Sequence, residues 1–202
     1  MEGSEAALFS SKQTVEDLSR EMGSMGMDVS GSIQDNKLSV RSISKPSPGE
    51  TPEALFGELA AEIDCLPRSC GLVIIDGITD LAIFCQDRTI MGFFPIFQKL
   101  CTAGKAIVVV AESSAFAPDL LSRLRQLCDT HISMMVRDRQ VRVLNAVKVN
   151  NLEQRRDNGF SFWVEPGVGI TIVPMFQVRV SLCGSRLGAA PLSYHPCQPV
   201  VA

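Results

Sequence analysis

The stretch GLVIIDGITDL, residues 71–81, constrains this chain more than any other. Leu72, Val73, Ile74 and Ile75 are consecutive aliphatic residues, the pattern of a strand buried on both faces of a sheet. Asp76 ends the run. An unpaired carboxylate is costly inside a core. Its expected place is therefore the carboxyl end of the strand, the edge where open α/β sheets bind ligands. Two readings stay open. Asp76 is a magnesium-associated carboxylate of a nucleotide site, or it begins a turn at Gly77.

The flanking patterns support an α/β fold. Ala6–Ser10 is a short apolar, strand-like run. Thr14 caps a helix, with Asp17 three positions on. Val15, Leu18, Met22 and Met25 fall on one face at helical spacing and read as core. Leu38 and Val40 mark a short strand, and residues 44–50 a loop. Thr51 followed by Pro52 is a helix start, with Leu55, Phe56, Leu59 and Ile63 on its apolar face. Arg88–Cys101 reads as a helix that Pro95 should kink or split. Residues 106–113, AIVVVAES, form a second buried strand, and Pro118 opens another helix. Alternating strands and helices imply parallel units with right-handed crossovers.

Beyond residue 130 the pattern changes to hairpins. One turns near Asp138 and one at Glu165–Gly169. They read as an antiparallel extension of the same sheet. Residues 1–181 make one domain in this reading, and residues 182–202 a disordered or loosely packed tail.

Composition narrows the chemistry. With 202 residues, 19 basic and 22 acidic, the formal net charge is −3. That balance does not suggest an electrostatic nucleic-acid binder, and no direct nucleic-acid partner is expected. The seven cysteines include no CxxC pair and read as reduced thiols of a cytosolic protein. Two histidines, His131 and His195, make a histidine metal site or a Ser–His–Asp triad improbable. The N-terminal residues have neither a positive leader nor a long apolar core, so no secretory signal is expected.

The candidate residues cluster at strand ends. Thr79 and Asp80 position metal or water beside Asp76, or form an Asx or ST turn or a cap. Ser113 and Ser114, after Glu112, sense a phosphate or satisfy a helix start. Lys148, with Arg155 and Arg156, reaches a neighbour's phosphate or belongs to a solvated hairpin tip. No GxxxxGK[ST] occurs in the 202 residues, and Gly104-Lys105 lacks the upstream glycine of that phosphate loop.

Three blocks together resemble a known family. They are FSSKQTVEDLSREMGSMGMDVSGSIQDNKLSV, GLVIIDGITDL with GFFPIFQKLCTAGKAIVVVAES, and VRVLNAVKVNNLEQRRDNGFSFWVEPGVGITIVP. Their order resembles the KaiC-like branch of the RecA-type P-loop ATPases, and within it the FlaH-type archaellum accessory ATPases. The likeness covers Leu8 to Val180.

The resemblance implies a RecA-like, mainly parallel sheet flanked by helices, with carboxy-terminal antiparallel strands. It implies ATP and Mg2+ as cofactors, Asp76 as the Walker B aspartate, and Lys148 as a basic residue near a subunit interface. It also implies a homo-oligomer in the cytoplasm, at the inner face of a membrane, contacting a motor ATPase or a membrane platform protein.

Two departures count against turnover. The family's first strand, P-loop and next helix would precede Leu8, where seven residues stand. They are expected to be missing, through truncation or in a short paralogue that has lost the nucleotide site. At Lys12 the family more often has a glutamate that helps activate water, a role closed to a protonated lysine. The expectation is a regulatory or assembly ATPase homologue inactive in hydrolysis. The alternative is a nucleotide-free interaction module.

Overall fold

The computed structural model describes residues 5–44, 50–137, 141–148, 158–173 and 200–201. Its centre is a parallel sheet of four strands: β1 (Glu5–Ser10), β2 (Leu38–Ser42), β3 (Cys70–Asp76) and β4 (Ala106–Val110). The order across the sheet is β2-β1-β3-β4, and every neighbouring pair is parallel.

Helices make the crossovers. They are α1 (Val15–Ser24), α2 (Ser30–Gln34), α3 (Pro52–Asp64), α4 (Ile78–Ala82), α5 (Asp87–Thr102) and α6 (Pro118–Leu127), with a 3-10 turn at Ser113–Ala115. The expected caps form. The Thr14 side chain and Asp17 make a reciprocal capping box, and the Thr51 side chain accepts the Ala54 N–H ahead of Pro52.

The core lies on one face of this sheet. Ala7, Phe9, Val73 and Ile75 meet Leu55, Phe56 and Ile63 of α3 and Ile90, Phe93, Phe97 and Leu100 of α5. Phe56 stacks on Phe93, ring centres 4.1 Å apart. The opposite face is less covered. Leu72 and Ile74 are half-buried, and Val108 is 42% exposed. The run 72–75 is therefore buried fully on one side of the sheet and partly on the other.

The Lys105 ammonium closes the turn before β3. It donates to the carbonyls of Leu66, Pro67 and Cys70 at 3.5, 3.2 and 3.3 Å.

Three expectations are corrected. First, Pro95 does not split α5, which runs unbroken from Asp87 to Thr102. Pro95 lies on the exposed side, and burial of Ile90, Phe93, Phe97 and Leu100 offsets the local cost of the ring. Second, no residue of α1 is fully buried. Its apolar stripe is a half-covered surface, and Val15 is exposed. Third, the carboxy-terminal strands form a sheet of their own. β5 (Thr130–Arg137), β6 (Val141–Lys148), β7 (Asn158–Glu165), β8 (Gly169–Val173) and β9 (Val200–Val201) are ordered β8-β7-β6-β5-β9, all antiparallel.

One contact with the first layer is a glycine junction. The Gly167 N–H donates to the Ser24 carbonyl at 2.8 Å. A Cβ on Gly26, at φ +76°, would lie 2.6 Å from the Gly167 carbonyl oxygen. Of the tail from residue 182, only Val200–Val201 falls among the described residues, paired with β5 at Ser133 and Met134.

Near the start of β5 two buried polar atoms, Arg125 Nε and His131 Nε2, have no hydrogen-bond partner among the described residues. Burial, and then the Arg125 charge, hold the His131 pKa below its ordinary 6.5. The unfolded chain therefore takes up this proton at a higher pH than the folded one. Stability is expected to be intact above pH 6.5 and to decline as pH falls through 6.5 toward the lowered folded pKa. Urea unfolding across that range checks this. His131→Asn should flatten the slope, and an unchanged slope would assign it to other groups.

Candidate functional site

The carboxyl edge of the parallel sheet gathers most of the candidate residues. Register places Ser10, Asp76 and Val110 in one row across β1, β3 and β4. Each strand then leaves the sheet in a bonded turn. Ser10 is 1% exposed, and its Oγ accepts the N–H groups of Lys12 and Gln13 at 3.2 and 3.1 Å. This ST turn leads the chain into α1.

After β3, Gly77 adopts φ +95°. A Cβ there would overlap Ser11 Oγ. The Ser11 hydroxyl donates to Asp80 Oδ2 at 2.6 Å, and its N–H to the Asp76 carbonyl at 3.1 Å. Thr79 is buried, and its Oγ1 accepts the Glu112 N–H at 2.9 Å. Ser113 is buried in the 3-10 turn, while the exposed Ser114 hydroxyl donates to Glu112 Oε1 at 3.2 Å. Thr79 and Asp80 thus tie the three exits together.

Asp76 itself is half-buried. Its carboxylate makes no hydrogen bond or ion pair with any described residue. It stands at the edge held by its backbone alone.

Lys148 ends β6 opposite Thr130 and belongs to the antiparallel sheet, not to the row containing Asp76. Arg155 and Arg156 lie outside the described residues. The sequence reading missed Ser10 and Ser11. Their signal was the pair of serines closing an apolar run just ahead of a capping box.

The donor set bears on magnesium and phosphate differently. Among the described residues, no three His, Cys, Asp or Glu side chains gather around one point. Asp76 alone suits a magnesium ion that keeps water and phosphate as its other ligands. The edge fits a phosphate cradle poorly. Cradling needs free successive N–H groups ahead of a helix, and here the N–H groups of Lys12, Gln13 and Glu112 are already bonded. No hydrolytic step follows from these residues.

This architecture is that of a RecA-like α/β protein with carboxy-terminal antiparallel strands. No protein-family model matches the chain. The archaeal flagellar ATP-binding protein FlaH of Sulfolobus acidocaldarius is 24% identical over 115 residues, which are 55% of this chain and 50% of that protein. The chain thus spans about half the length of that curated relative. The crystal structure of the flagellar accessory protein FlaH from Methanocaldococcus jannaschii matches with a TM-score of 0.65 at 15% identity, over 84% of this chain and 76% of that one. The chain is a distant homologue of archaeal FlaH, and its similarity to the P-loop ATPases is at the level of the superfamily.

Among the described residues, no helix is long and apolar enough to cross a membrane.

Proposed function

We propose that the chain is a regulatory or assembly module of the FlaH type, whose Asp76 edge associates with Mg-ATP without turning it over. The observation that carries this reading is the free Asp76 carboxylate at the carboxyl end of a central parallel strand. In this reading Asp76 is the Walker B aspartate and orients magnesium, directly or through water. Thr79 and Asp80 hold its loop, and Ser113 and Ser114 lie on the phosphate side. Lys148 and Arg155 approach from a neighbouring subunit. Lys12 leaves no carboxylate there to activate water. The module works in the cytoplasm, as a homo-oligomer at the inner face of a membrane, against a motor ATPase or platform protein.

Asp76→Ala tests the assignment. The variant should fold with wild-type stability, because the side chain has no partner to lose. It should also lose any dependence of ATP binding on magnesium. Equal magnesium dependence in variant and wild type would remove Asp76 from the site.

A second reading has its own observation. Ile83 is 57% exposed, Phe84 62% and Val108 42%, and apolar surface of this kind marks interaction sites. With no phosphate loop in the 202 residues, the chain would then be a nucleotide-free interaction module on the same fold. A purified chain that binds no ATP and associates through these residues favours it.

A further inference from the structure

Cysteines 65, 70, 85, 101 and 128 are free thiols, and two of them stand at helix ends that are bonded to each other. Cys101 lies in the last turn of α5, and Cys128 is the C-cap of α6. The two helix ends are joined directly, the Gln98 side-chain amide donating to the Leu127 carbonyl at 2.8 Å. Gln98 and Cys101 are three residues apart on one helix and so neighbours on one face. Cys128 is next in the chain to Leu127. Both thiols are half-buried. The Cys128 Sγ rests against the Leu124 carbonyl at 3.4 Å, a weak bond that is easily given up. A disulfide needs Cα atoms within about 7 Å, and the Gln98–Leu127 bond joins the two helix ends that carry these thiols.

We propose that Cys101 and Cys128 form a reversible disulfide, a modification site that closes residues 101–128 into a loop. The loop contains β4, the 3-10 turn, Glu112, Ser113 and Ser114, and the bond would join α5 to α6 at the end of β4 away from Asp76. It depends on helix packing and stands whether or not that edge takes a nucleotide.

The oxidant class is a small disulfide such as oxidised glutathione. The Cys101 thiolate attacks one of its sulfurs. The glutathione S–S bond breaks, a mixed disulfide forms on Cys101, and one glutathione leaves as thiol. Cys128 then gives its proton to solvent and attacks Cys101 Sγ, releasing the second glutathione. Two protein thiols are oxidised, and one glutathione disulfide is reduced to two thiols. Burial, followed by the charges of Asp129 and Cys101, holds the Cys128 thiol pKa up, so the closing step quickens as pH is raised.

The test treats the whole chain with oxidised glutathione at mildly alkaline pH and digests it with trypsin. Cleavage after Lys99, Lys105, Arg125 and Arg137 places the two thiols on fragments 100–105 and 126–137. The expected product is these fragments joined, two hydrogens lighter than their sum and separated by reductant. The oxidised chain should also unfold at higher urea than the reduced one, a shift absent in Cys101→Ser and Cys128→Ser. Cys65→Ser, at the exposed cysteine, should leave the joined product unchanged. Glutathione remaining on either cysteine would overturn the proposal. So would modification of Cys65 alone, or joining of either thiol to Cys183 or Cys197.

Discussion

Phe56→Ala is expected to lower the unfolding free energy by about 3–5 kcal/mol. Phe56 is 1% exposed and stacks on Phe93 with an interplanar angle of 26°. It therefore joins α3 to α5 above β3, in the part of the core shared by both helices and the central strand. Truncation removes apolar burial and leaves a cavity that Phe93 and Ile75 fill only in part. Domains of ordinary stability hold about 5–15 kcal/mol in reserve, so the variant should unfold at much lower urea. Phe84→Ala, at a residue 62% exposed, serves as the control and should change stability by no more than about 0.5 kcal/mol. Similar losses in both variants would show that the α3–α5 contact is not what holds the core.

Gly77→Ala is expected to be the next most damaging change. At φ +95° a side chain carries the left-handed penalty of about 1–2 kcal/mol. The added Cβ would also displace Ser11 Oγ and break its bond to Asp80. A hydrogen bond to a charged group is worth about 1.5–3 kcal/mol, so the total is about 2.5–5 kcal/mol. Gly104→Ala separates the two contributions. Gly104 has φ +98° with nothing within 4 Å of the added Cβ, so it should show only the left-handed penalty. Ser11→Ala combined with Gly77→Ala should cost little more than Gly77→Ala alone, because both remove the same bond. Unfolding free energies from urea titration check all three. Equal losses for Gly77→Ala and Gly104→Ala would mean that the Ser11–Asp80 bond does not hold the edge together.

The elements legible in the sequence were those that local chemistry dictates. Thr14 with Asp17 and Thr51 with Pro52 announced helix starts, because capping is settled within four residues. The run ending at Asp76 announced a central strand, because an uninterrupted aliphatic segment has few other places to go. What stayed hidden depends on distant partners. Hairpin patterns after residue 130 show antiparallel strands but not which strand edge they bond to, so the second sheet was read as part of the first. Pro95 looked disruptive because its cost is local, while the burial that offsets it is spread over Ile90, Phe93, Phe97 and Leu100. The apolar stripe of α1 suggested core, yet periodicity does not report how completely a face is covered.

The candidate edge shows the same division. Asp76 stood out as a charge after an apolar run. Ser11 pairs with Asp80 across 69 positions, and no spacing rule reaches that far.

Calorimetry of the 202-residue chain tests whether the Asp76 edge associates with Mg-ATP. ATP is titrated with magnesium and then with chelator, into wild type and into Asp76→Ala. Wild type should bind weakly, with a Kd of about 1 mM, worth about 4 kcal/mol. That binding should vanish with chelator or in the variant, and no ADP should form. Absence of magnesium-dependent heat from wild type, or the same heat from Asp76→Ala, would contradict it and leave the nucleotide-free interaction module as the reading.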